Sequence, residues 1–231
     1  MKLKKIASLM LAGVMAVSML AGCNTAAVDP EQPEQPEQPT TSAAAEALRS
    51  ELTGSAKEKV TAVADAELDA ALDNVVAKYW NYGVDNVFQD EIDEVNYEGV
   101  VDYRDTRLGA AVKSAVGADF FSIEDGLTGD DGYNDSINRK AVEIWAVPAD
   151  VSDDEALEIV AEKIDPFVTI LPLEGDDYQD DYVDEVEETP NYNYSYTISA
   201  SIETKTVTFA GLEYGVKYVA VMVTKTVAEK G

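Results

Sequence analysis

Residues 191–202 read "NYNYSYTISASI", and their alternation decides the fold class. Tyr192, Tyr194, Tyr196, Ile198, Ala200 and Ile202 fall on one side of an extended chain. Asn193, Ser195, Thr197, Ser199 and Ser201 fall on the other, which is the period of two of a β-strand. Downstream, Val207 and Phe209 mark a short strand and 216–227 a long closing one. Upstream, "KAVEIWAV" at 140–147 is apolar almost throughout and stops at Pro148, as in a strand covered on both faces. Between these strands, Ser152-Asp153-Asp154-Glu155 forms a capping box that opens a helix with the apolar stripe Leu157, Val160, Ala161 and Ile164. Residues 167–171 then read as a further strand.

The first half changes period. Residues 43–64 are alanine-rich and broken at Gly54. Asp65 caps a helix whose apolar positions Leu68, Leu72, Val75, Val76 and Tyr79 share a face. Val84, Val87, Phe88 and Ile92 suggest a second helix. Leu108, Ala111, Val112, Ala115 and Val116 mark a third, with Gly117 placed to end it. The chain therefore predicts an α+β domain: a helical N-terminal half followed by a β-α-β-β-β, largely antiparallel sheet. If 153–164 is a crossover helix, the strands at 140–147 and 167–171 run parallel. The acidic segments at 124–135 and 174–188 then attach at opposite ends of the sheet.

Ahead of this domain, Lys2, Lys4 and Lys5 precede an apolar run from Ile6 to Leu20 that is too short to span a membrane comfortably. Leu20-Ala21-Gly22-Cys23 resembles the lipobox of bacterial lipoproteins. The resemblance implies a signal peptide at 1–22, a diacylglyceryl-modified Cys23 as the mature N-terminus, and a membrane anchor facing outside the cytoplasm. Two acyl chains hold where one does not, at about 0.8 kcal/mol per buried methylene. Prolines at 30, 33, 36 and 39 in three EQP repeats match the three-residue turn of a polyproline II spacer. The expected organisation is signal peptide 1–22, lipidated linker 23–45 and one acidic globular domain 46–231.

Charge narrows the partners. Forty-five acids against 17 bases give −28, and removal of 1–22 takes away three lysines and no acid, giving −31. Nucleic acid and anionic lipid headgroups are repelled by such a field, whereas a cationic ligand or a basic envelope component is not. The chain has no histidine, which excludes Ser-His-Asp triads, Cys-His dyads and HExxH zinc sites. Walker A, GxGxxG and SxxK motifs are also missing. Carboxylate-dependent glycan chemistry remains open, because it needs only two acids about 5–9.5 Å apart. A pocket with converging acids beside Trp80, Trp145 or tyrosine would favour it.

Three stretches are candidate sites. "EDGLTGDDGYND" at 124–135 combines glycine bends with Glu124, Asp125, Asp130, Asp131 and Asp135, and reads either as a flexible solvated loop or as hard oxygen ligands for a weak Ca²⁺ site, although the spacing is not that of an EF-hand. "EGDDYQDDYVDEVEE" at 174–188 holds nine acids and no base, which makes it either a solvated segment or a dock for a cation. Tyr192, Tyr194 and Tyr196 form either a ligand platform or, since Ile198 and Ile202 continue their face, an extension of the core.

The order of a helix, then "RDTRLGAAVKSAVGADFF" at 104–121, then strand, helix and closing antiparallel strands resembles the layout of the CAP superfamily of SCP-like proteins over residues 66–227. That family's cleft is associated with paired histidines and glutamates. Without histidine, the resemblance implies a binding or structural role. The sequence thus reads as a lipid-anchored, non-enzymatic binding module of the cell envelope, with a carboxylate glycan-acting enzyme as the alternative.

Overall fold

The computed structural model describes residues 42–81, 87–128, 136–175, 191–209 and 211–230. Helix α1 (Ala43–Glu51) begins at Ser42, whose side chain accepts the Ala45 N–H, and it buries Ala45 and Leu48. Ala43–Ala45 thus belong to the folded domain rather than to the linker that was expected to run to 45. A short helix α2 (Gly54–Lys59) leads into β1 (Val60–Ala62).

Asp65 caps α3 (Ala66–Asn81), with its Oδ1 accepting the Glu67 and Leu68 N–H groups at 3.0 and 2.9 Å. Leu68, Leu72 and Val76 of its stripe are fully buried. After α4 (Val87–Glu98) and the two-residue β2 (Val101–Asp102) comes α5 (Arg107–Ala115), capped by Thr106 and followed by Gly117 at φ +61°. A single π-helical turn, Glu124–Thr128, precedes β3 (Arg139–Pro148). The chain closes with α6 (Asp153–Ile170), β4 (Glu174–Gly175), β5 (Tyr192–Phe209) and β6 (Leu212–Glu229).

The fold is α+β, and its sheet is mostly antiparallel. The strand order is β1-β5-β6-β3-β2, with β4 also on β5. Among the strands of the described residues only the β1–β5 pairing is parallel, and an isolated parallel bridge joins Phe120 to Ala141. Helices cover both faces. One core joins α1, α2 and α6 to Tyr192, Tyr194, Tyr196 and Ile198 of β5 and Val219, Val221 and Val223 of β6. The other joins α3, α4 and α5 to Val142, Ile144 and Ala146 of β3 and Tyr218, Ala220 and Met222 of β6. β3 is apolar nearly throughout because it is covered on both sides, as its composition predicts.

Three expectations are corrected. Residues 167–171 are not a strand: α6 runs through Pro166 to Ile170. An interior proline costs about 3 kcal/mol, but Val168 and Leu171 continue the stripe of Leu157, Val160 and Ile164 into the core, both at 0% exposure, and this burial offsets it. The strand between α6 and β5 is instead the two-residue β4. The pieces read at 191–202 and 207–209 form one strand, β5, in unbroken register with β6.

The third correction concerns direction. β3 and β5 are both antiparallel to β6, so they run the same way. Ser136, which leads into β3, and Asn191, which leads into β5, therefore stand at the same end of the sheet, not at opposite ends. Arg139, Lys225 and Tyr196 sit side by side across the three strands there. Most of both acidic segments, 129–135 and 176–190, lies outside the described residues.

Candidate functional site: an acidic pocket at the sheet edge

β2 is the outermost strand beside β3. Asp102 is opposite Trp145, and the Tyr103 N–H bonds the Ile144 carbonyl. Continuing that register sets Arg104 beside Glu143, on the same face of the sheet. The segment after α5 runs along β3 as well: Asp119 N–H bonds Lys140 O, Val142 N–H bonds Phe120 O, and Asp119 Oδ2 accepts the Lys140 N–H. Between this segment and the 102–105 turn opens a pocket of about 530 Å³ lined by Asp102, Arg104, Asp105, Asp119, Phe120, Phe121 and Asp125.

Four carboxylates thus face one guanidinium, and that guanidinium is already engaged, since Arg104 Nε donates to Asp102 Oδ2 at 2.5 Å. Burial works against the Arg104 charge, but Asp102, Glu143 and Asp105 more than offset it and hold the group above its ordinary value. The phenyl walls carry cations of their own, Lys113 Nζ lying 4.8 Å from the Phe121 ring centre and Arg139 5.5 Å from that of Phe120.

Behind the pocket, Glu143 is 1% exposed. Its Oε1 accepts the Ile123 N–H at 2.9 Å. Burial pushes its carboxyl above the usual range; the Ile123 N–H and Arg104 pull it down, and Asp102 pushes it further up. The Trp145 indole N–H faces the same carboxylate without closing a hydrogen bond of ordinary geometry.

Of the residues singled out in the sequence, Asp125 lines this pocket and Glu124 beside it is exposed on the π-helical turn. Asp130, Asp131 and Asp135 lie outside the described residues, as do Leu20, Ala21, Gly22 and Cys23. Among the described residues no three acidic or cysteine side chains converge as a metal site. Tyr192, Tyr194 and Tyr196 are 8%, 6% and 2% exposed and belong to the α6-side core, so they are not a ligand platform. Their face could not change because the strand has no bulge. The Tyr196 hydroxyl is used internally, donating to Pro172 O at 2.7 Å.

Trp80 serves the opposite core, donating from Nε1 to the Tyr218 hydroxyl. Neither tryptophan lines the pocket. Asp102, Asp105, Asp119 and Glu143 were missed in the sequence. For Glu143 a signal existed: it is the lone acid inside an apolar run.

Among the described residues no helix is long and apolar enough to cross a membrane. Comparison of the chain with known proteins finds no matching family model, no similar curated protein and no similar solved structure.

Proposed function

We propose that this chain is a lipid-anchored, extracytoplasmic binding module whose pocket at 102–125 takes an organic cation or a basic segment of an envelope component. The observation that carries the reading is the lining: four carboxylates around about 530 Å³, with the one guanidinium already paired to Asp102. The space exceeds what a bare ion needs and suits an alkylammonium or guanidinium group paired to the carboxylates, the phenyl rings of Phe120 and Phe121 being already engaged by Arg139 and Lys113. Anchoring through Cys23 rests on its likeness to the lipobox, and the EQP repeats supply the spacer.

The enzymatic reading draws on Glu143, a carboxyl with a raised pKa beside other acids, as in a general acid. Its 1% exposure and its bond to the Ile123 N–H favour a structural part instead. The CAP-like layout adds no chemistry, since the histidines of that cleft have no counterpart in this sequence.

Calorimetric titration with spermidine tests the binding reading on residues 38–231, the compact unit that contains both cores. The expected result is salt-sensitive binding. Asp105→Asn with Asp125→Asn should weaken it roughly thirtyfold, at about 1 kcal/mol per charge contact in water. Equal binding by both proteins would refute the pocket. Anchoring is tested separately: Cys23→Ala should release the protein from host membranes.

A further inference from the structure

Among the described residues no strand pairs with the outer side of β5 from Ser199 to Phe209. β1 covers Tyr196 to Ile198, and β4 covers Tyr192 and Asn193. The Val63 N–H donates to Ile198 O, so Ile198 and every second residue after it turn their backbone away from β6. The unbroken β5–β6 register carries that alternation to the hairpin. The outward N–H and C=O groups of Ile202, Thr204, Thr206 and Thr208 therefore meet no strand among the described residues.

Proteins blunt such edges with proline, bulges or charged side chains, lysine above all. Residues 199–209 hold no proline and no bulge, and their charges cancel. In a chain of net charge −28, residues 199–209 hold one acid and one base. That acid and base, Glu203 and Lys205, share a face and pair at 2.7 Å. Thr204 and Thr206 are exposed, with Glu203, Lys205 and Val207 half-buried.

We propose that this edge joins a second copy of the chain, strand to strand and antiparallel, with its twofold axis at Thr204. In that register Ile202 lies opposite Thr206 of the second copy, and each Glu203 lies opposite the other chain's Lys205. The ion pair within one strand becomes a four-charge cluster across two. A basic peptide is the less suited occupant, because the edge carries no net charge to attract one. The two six-stranded sheets become one continuous sheet, and the hairpin turns project to either side of the axis.

Sedimentation equilibrium of residues 38–231 tests this. A reversible dimer is expected, strengthened by salt as the repulsion between two acidic domains is screened. Thr204→Pro removes an outward N–H and leaves the β6 ladder intact; it should give a monomer with an unchanged circular dichroism spectrum. Lys205→Glu should weaken dimerisation roughly tenfold by opposing like charges. The reversed pair, Glu203→Lys with Lys205→Glu, should restore it. A protein that stays monomeric at every concentration, a dimer indifferent to Thr204→Pro, or equal behaviour of the single and reversed variants overturns the proposal.

Discussion

Glu143 Oε1 holds the Ile123 backbone N–H at 2.9 Å across twenty positions of sequence, tying the pocket wall at 119–125 to the middle of β3. The carboxyl is buried, and its folded-state pKa lies above the ordinary 4.5. The folded protein therefore binds this proton more tightly than the unfolded chain does. The stability it brings is full below about pH 4.5 and is lost as pH rises through the folded value. Glu143→Gln keeps the acceptor and cannot ionise. In thermal melts from pH 4 to 8, its midpoint should gain on that of the wild type as pH rises; two parallel curves would refute the assignment. Glu143→Leu leaves the Ile123 N–H unpaired and should cost about 1–3 kcal/mol near pH 4, a cost that shrinks as pH rises because leucine cannot ionise either.

Lys217 is 4% exposed on β6, and its Nζ donates to Val151 O at 2.6 Å and to Asp153 Oδ1 at 2.5 Å. It fastens the turn after β3 to the first turn of α6. Asp153 is 68% exposed, so the ion pair itself counts for little, and the part-buried bond to Val151 O counts for more. Lys217→Met keeps the aliphatic stem and removes both bonds. Chemical denaturation should show a loss of about 1–3 kcal/mol. The same midpoint in low and high salt would confirm that the charge is secondary.

Leu157 stands at 2% exposure in the α6 stripe, against the face of the sheet that carries the tyrosines. Leu157→Ala should lose about 2–5 kcal/mol. An unchanged melting midpoint would mean that α6 is not packed there.

How much of this was legible depends on whether local pattern or long-range pairing decided the outcome. The strips of period two and 3.6 gave β3, β5, α3, α5 and the start of α6, because each buries one face or two and the composition records it. Residues 167–171 were misread because Pro166 signals a break locally, whereas Val168 and Leu171 keep the helix through burial that no short window contains. β1 and β2, of three and two residues, exist through their partners alone. The pocket was hidden for the same reason: Asp102, Asp119 and Asp125 are brought together by β-pairing to one edge. The acidic runs drew attention by charge density, which marks solvation more often than a site. Glu143 could have been found, since an acid within an apolar strand covered on both faces has to be buried.

Gly109 gives the sharpest test of that edge. It lies in the first turn of α5, where its N–H donates to Thr106 Oγ1. A Cβ there would stand 2.3 Å from Tyr103 O and 2.6 Å from Arg104 O. Both are backbone atoms, so a side chain cannot swing aside to make room. The glycine lets α5 start directly against the turn that carries Asp102, Arg104 and Asp105. Gly109→Ala must move either the helix or that turn. Overpacking of this kind costs about 1–3 kcal/mol, more than the gain in helix propensity of up to about 1 kcal/mol from replacing glycine. Arg104 would shift with its carbonyl, and the Asp102 pair with it. The expected result is a lower melting midpoint together with weaker spermidine binding, whereas Gly54→Ala, with open space around its Cβ, should leave binding unchanged. A stabilised Gly109→Ala protein that binds normally would mean that α5 does not abut the pocket.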